Sequence, residues 1–148
     1  NYDGIDFETI KNVKHTDGTV TKGSGEVKDS KSILDVKADV LITAAIKDLI
    51  LDEDVARLGF KLIVQGSNIP MTLETEKKVM EKGILNIPDF VANAGGVISS
   101  YVEYIGGTVE EMWKMVEEKV VENTKEMLSR DGVPREVAMV IARERIFS

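Results

Sequence analysis

The chain has 148 residues, 43% hydrophobic and 30% charged, with 19 basic against 26 acidic side chains and a net charge of −7. This is the composition of one globular domain with a sizeable core, and its acidity excludes the basic face that a nucleic acid or an anionic membrane surface would need. With no cysteine there is no disulfide, thiolate or Cys-ligated zinc, which makes a cytoplasmic address the expectation, and the single histidine, His15, excludes a site built on two imidazoles.

The opening stretch is the least regular. It begins with Asn1 rather than Met, as expected of a processed chain or of a piece of a longer one. No signal-peptide pattern stands there, and no apolar run anywhere approaches the ~20 residues of a membrane span. Residues 7–14 suit a helix, and residues 13–22 suit a hairpin about Asp17-Gly18 equally well. Residues 23–32 are polar and read as a loop. Gly23-Ser24-Gly25 begins like a phosphate-binding glycine fingerprint, but Lys28 fills the third glycine position and no apolar strand precedes it. His15 is expected at the surface.

Three short apolar runs follow, at residues 39–45, 61–66 and 83–88. They lack alternation, which predicts parallel strands covered on both faces. Between them, Asp52 is placed to cap a short helix stopping at Gly59, and Thr72 to cap another stopping at Gly83. The result is two right-handed strand–helix–strand crossovers. Asp52-Glu53-Asp54 lacks calcium-loop spacing and suits the positive end of a helix instead.

Beyond Asp89 the pattern turns helical. Residues 93–104 predict a helix with Gly95-Gly96 in its first turn, broken at Gly106-Gly107. Thr108 and Glu111 form a capping box that opens a long helix ending near Arg130. Its apolar stripe is Val109, Met112, Trp113, Val116, Val120 and Met127, and Met112, Trp113 and Met127 are expected in the core. Pro134 opens a last helix with the stripe Val137, Val140, Ile141 and Phe147.

In an open parallel sheet, ligands bind beyond the carboxyl ends of the strands. Three such ends can be located: Thr43-Ala44-Ala45, Gln65-Gly66-Ser67-Asn68, and Pro88-Asp89 running on to Asn93-Ala94-Gly95-Gly96. Asn68 and Asn93 each offer an amide that donates and accepts. Two glycines in a helix cost roughly 1 kcal/mol each relative to alanine, a cost expected where backbone must approach a ligand.

At Asn93 a resemblance emerges. Residues 84–104, Ile84-Leu85-Asn86-Ile87-Pro88-Asp89 through Asn93-Ala94-Gly95-Gly96-Val97 to Ser100-Tyr101 and Tyr104, resemble the signature of glutamate dehydrogenases within the Glu/Leu/Phe/Val dehydrogenase family. Ala38 to Ala45 resembles that family's strand ending in Pro-Ala-Ala, and Gln65 to Thr72 its Glu-Gly-Ala-Asn segment. Asn1 to Asp6 resembles the stretch after its second nucleotide-domain strand, and Val137 to Phe147 its closing helix. The departures are Thr43 for proline, Gln65 for glutamate, Ser67 for alanine and Tyr104 for tryptophan.

The resemblance implies an α/β, Rossmann-like parallel sheet, its later half, without the glycine-fingerprint strand and followed by C-terminal helices. Residues 1–107 would be a partial NAD(P)-binding domain, and residues 108–148 helices packing on it and on a missing N-terminal substrate domain. It implies reversible oxidative deamination of L-glutamate to 2-oxoglutarate and ammonia, with NAD or NADP as hydride acceptor, in a homo-oligomer. Asn68 would contact the nicotinamide ribose, Asn93 the carboxamide, and Ala44 and Ala45 would line the pocket through backbone. Val97 and Ser100 would reach the substrate, Ser100 donating to its side-chain carboxylate. The family's catalytic lysine and aspartate fall upstream of Asn1, so no catalytic residue or metal ligand is assigned and the chain alone is expected to be inactive. The alternative is a truncated, inactive relative serving as a nucleotide-binding or subunit-interaction module. Two physical expectations follow: an exposed apolar strand edge at residues 40–43 prone to self-association, and a partly exposed stripe on the helix at 108–128.

Overall fold

The computed structural model describes residues 4–23 and 25–147. Asn1 to Asp3 and Ser24, which carry part of the resemblance and part of the glycine pattern, lie outside them. Residues 1–33 and 34–148 form two compact units.

In the first unit, Asp6 accepts from the Glu8 N–H at 3.2 Å and opens helix α1, Phe7–Asp17. Gly18 ends it at φ 71°, returning its N–H to the Lys14 carbonyl. Asp17-Gly18 is therefore a helix stop and not a hairpin turn, because the left-handed glycine is used to satisfy the last helical carbonyls. A 3-10 turn, Val20–Lys22, follows. His15 is exposed, as expected.

The second unit is built on three parallel strands, β1 (Val40–Thr43), β2 (Leu62–Gln65) and β3 (Leu85–Ile87), in the order β1-β2-β3. The register pairs Leu41 with Ile63 and Ile63 with Asn86 on one face, and Val64 with Ile87 on the other. The first face carries a core of Leu34, Leu41, Ile50, Phe60, Ile63, Met71, Val79 and Ile84 with their neighbours. The second face carries Ile87, Val91, Met127, Val137, Ala138 and Ile141, with Leu62, Val64 and Ala92 against them. Cover on both faces holds for β2 and for β3 beyond its exposed first residue, Leu85, but not for β1, where Ile42 is 64% exposed. The reason is that the helices on this face pack over β2 and β3.

The first crossover contains a 3-10 helix, Asp52–Arg57, in place of the expected α-helix. Asp52 does not cap it. Asp54 accepts from the Leu51 N–H at 2.9 Å, while Asp52 accepts from the Thr75 hydroxyl and Lys78. Its main chain closes in three-residue steps, the Asp54 N–H donating to the Leu51 carbonyl and the Leu58 N–H to the Val55 carbonyl, and the Lys82 ammonium donates to the carbonyls of Val55, Ala56 and Leu58 at 2.6–2.8 Å. The second crossover is as expected: Thr72 caps α2, Leu73–Glu81, and Gly83 turns the chain at φ 86°.

The expected helix over 93–104 is divided. A single turn, α3 (Asp89–Ala92), precedes α4 (Gly95–Tyr104), with Asn93-Ala94 as the bend between. The capping box at Thr108 and Glu111 opens α5, Val109–Leu128, with both reciprocal bonds made. Met127 is buried, but Trp113 is 65% exposed and is not a core residue, so the stripe is indeed partly open. In α6, Pro134–Phe147, Val137 and Ile141 are buried while Val140 and Phe147 are exposed. At about 100° per residue the latter two lie roughly a third of a turn from the arc that meets the sheet. Among the described residues, no helix is long and apolar enough to cross a membrane.

Candidate functional site

The three strands end side by side, and the loops after them form one rim. At β1 the chain turns out through Ala44 and Ala45, both exposed. At β2 the Ser67 N–H donates to the Thr43 carbonyl at 2.6 Å, drawing the two loops together. Gly66 makes this approach possible, because a Cβ there would lie 3.1 Å from the Thr43 carbonyl oxygen and 3.6 Å from the Ala44 methyl. The next residues hold back on the β1 loop: Asp48 N–H donates to the Ile69 carbonyl and Ile50 N–H to the Pro70 carbonyl, each at 3.0 Å.

At the β3 end, the Asn93 side-chain amide donates to the Asn68 side-chain carbonyl at 2.6 Å. The two asparagines, 25 residues apart, thus form one polar pair at the mouth of β2 and β3. Asn68 is exposed and Asn93 half-buried. The bond uses one Asn93 hydrogen and the Asn68 oxygen. It leaves the Asn93 oxygen as an acceptor and the Asn68 nitrogen as a donor.

Val97 and Ser100 lie on one face of α4, together with Tyr101 and Tyr104, and all four are exposed. The Ser100 hydroxyl donates to the Gly96 carbonyl at 3.1 Å. The glycine pair has two explanations. A Cβ at Gly95 would meet Val116 of α5 at 3.2 Å, so Gly95 serves helix packing and not ligand approach. At Gly96 the same position opens onto free space.

Beneath the rim lies a charged network that the sequence reading missed. Gln65, Glu76 and Asn86 are fully buried, and Asp89 nearly so. The Gln65 amide donates to Glu76 at 2.7 Å and to Asn86 at 3.0 Å. Arg135, from α6, donates to both Glu76 oxygens, to the Gln65 oxygen and to Asp89 at 2.8 Å, and its guanidinium lies 5.3 Å from the centre of the Phe90 ring. Asp89 also accepts from the Ile69 N–H and the Phe90 N–H, each at 2.9 Å. Burial pushes the Asp89 carboxyl up, but the bonds from Ile69, Arg135 and Phe90 outweigh it and its pKa lies below the usual value. The bond to Glu76, ahead of the opposing burial, raises the Arg135 pKa, so the guanidinium stays charged. A polar residue within each of two apolar strands, Gln65 and Asn86, was the available signal. Nothing local pointed to Arg135.

Residues 1–140 match the Glutamate/Leucine/Phenylalanine/Valine dehydrogenase family model. The chain belongs to that family. It is 39% identical to the glutamate dehydrogenase of Aeropyrum pernix, a match covering 98% of this chain and 38% of that protein. It is 32% identical to the NADP-specific glutamate dehydrogenase of Saccharolobus shibatae, over 97% of this chain and 37% of that protein. Among solved structures, the hetero-hexameric glutamate dehydrogenase of Thermus thermophilus in its Leu-bound form superposes with a TM-score of 0.85, at 21% identity over 98% of this chain and 36% of that one. The chain therefore spans less than two fifths of the length of the curated relatives it matches, and the structural likeness establishes the Rossmann-like fold.

Against the family pattern, Gln65 has a clear physical basis. A carboxylate there could not donate to Glu76 or to Asn86, whereas the amide donates to both and accepts from Arg135. Thr43 is buried with its hydroxyl 3.5 Å from the Val64 carbonyl, and Ser67 sits 3.4 Å from the Ile46 carbonyl.

Proposed function

We propose that this chain forms the nicotinamide-side wall of an NAD- or NADP-dependent enzyme that interconverts L-glutamate with 2-oxoglutarate and ammonia. The observation that carries the reading is the 2.6 Å contact between Asn68 and Asn93 at the strand ends. Its donor set suits the coenzyme: the remaining Asn93 oxygen and Asn68 nitrogen complement a carboxamide and a ribose hydroxyl. Gly66 lets the β2 loop close on Thr43 and Ala44, and Ala44 and Ala45 are exposed beside the pair.

On this reading Asn93 holds the nicotinamide carboxamide, Asn68 the ribose, and Ala44 and Ala45 line the ring pocket. Val97 and Ser100 face the substrate, with Ser100 donating to its side-chain carboxylate as one anchor among several. When bound, the nicotinamide supplies the hydride acceptor. These residues fix the ring's position and orientation, which supplies much of the rate in a hydride transfer. Residues 1–107 act as a partial coenzyme domain, residues 108–148 pack on it and on a substrate domain, and that further polypeptide brings the general acid and base. The working enzyme is an oligomer of such chains in the cytoplasm.

Titration of the isotope-labelled chain with nicotinamide mononucleotide tests the site. The Asn68 and Asn93 side-chain amide signals should move together, and Asn93→Ala should abolish the response. Shifts confined to other surfaces would refute the assignment. The purified chain alone should reduce neither NAD nor NADP in the presence of glutamate, and measurable turnover would refute the division of labour.

A further inference from the structure

We infer that Asp89 is the positioning residue of the asparagine pair: its carboxylate holds the Asn68 loop, its main-chain carbonyl holds the Asn93 turn, and Arg135 holds the carboxylate. The inference rests on the reading of Asn68 and Asn93 as a coenzyme site, and it adds the device that aligns them.

The carboxylate accepts from the Ile69 N–H at 2.9 Å, one residue beyond Asn68. The Asp89 carbonyl accepts from the Asn93 N–H at 2.7 Å. One residue thus tethers both segments that present the pair, through bonds that its own rigid geometry relates. Ile69 sits at φ 47°, a conformation that a β-branched residue keeps only when its surroundings impose it. Released from Asp89, its backbone would relax toward negative φ and swing the Asn68 side chain away from Asn93. Arg135 donates to the other carboxylate oxygen at 2.8 Å while gripping both oxygens of buried Glu76, so the carboxylate cannot rotate freely. The Phe90 N–H donates a third bond to the carboxylate. An amide in place of the carboxylate has one acceptor oxygen, and so must turn its NH2 either on the Ile69 N–H or on the Phe90 N–H and Arg135.

The test compares Asp89→Asn, Asp89→Glu, Asn68→Ala and a core control, Met127→Ala, by the side-chain amide signal of Asn93 in the free chain. Both Asp89 variants should move that signal to its position in Asn68→Ala, while Met127→Ala leaves it in place. They should also weaken nicotinamide mononucleotide by roughly tenfold, the ratio equivalent to about 1.4 kcal/mol. An unmoved Asn93 signal in both Asp89 variants would overturn the inference. Should neither variant fold, hydrogen exchange on the unaltered chain decides. The Ile69 and Asn93 main-chain N–H groups should share one level of protection, and an Ile69 N–H exchanging like an open loop would overturn it. If the mononucleotide moves neither asparagine in the unaltered chain, the coenzyme reading fails, while the free-chain signal still reports on Asp89.

Discussion

Ile69 sets stored strain beside the candidate site. A β-branched residue at φ 47° costs roughly 1–2 kcal/mol, and its side chain is 58% exposed, so little burial offsets that cost. Replacing it with glycine relieves the strain but frees the unfolded chain by about 0.4–1 kcal/mol. Ile69→Gly should therefore stabilise the fold by up to about 1 kcal/mol in urea unfolding, and a clear loss would show that the backbone is not strained there. Asp89 carries a pH signature. Its folded pKa is lowered, despite burial, by the donors around it, whereas in the unfolded chain it returns to about 3.9. Between those values the unfolded state binds the proton and the folded state does not. Its contribution is thus complete above the unfolded value and drains away as pH falls through the folded one. Thermal melts followed from neutral pH down to well below the unfolded value should show a smaller acid loss in Asp89→Asn than in the parent chain. Equal losses would leave the carboxylate without this role.

The corner between α4 and α5 is closed by Gly107 and Thr108. A Cβ at Gly107 would stand 2.6 Å from a Val102 methyl and 3.2 Å from its carbonyl oxygen. Val102 is buried, so the corner cannot open without disturbing the helix pair. Gly107→Ala should cost about 1–3 kcal/mol, and Thr108→Ala, which removes the cap, about 1 kcal/mol. Chemical denaturation of the two variants checks both, and a neutral Gly107→Ala would mean that the corner is looser than drawn. These elements were readable because caps and glycine stops act over a few residues. The 3-10 helix at Asp52–Arg57 was not, because its acidic start suits either helix type and Lys82, from beyond α2, satisfies its carbonyls. The break at Asn93-Ala94 was hidden for a similar reason: Pro88 and Asp89 open a turn of their own before α4 begins.

Across the molecule, two cores meet at one small sheet whose outer strand is half-covered. β1 pairs only with β2 among the described strands and shows Val40 and Ile42 to solvent. Such an edge invites pairing with another chain. The chain should associate as its concentration rises, and Ile42→Lys should suppress this. Sedimentation showing one monomer at every concentration would dismiss the idea. The order of residues sufficed for the parallel strands, the capped helices and the two asparagines, because periodicity and caps are local and strand ends bring rim residues together by topology alone. The partial cover of β1, the exposure of Trp113 and the seat of Arg135 came from the assembled fold. Arg135 reaches Glu76 across 59 residues and Gln65 across 70, and only the folding of α6 against β3 brings those charges within bonding distance.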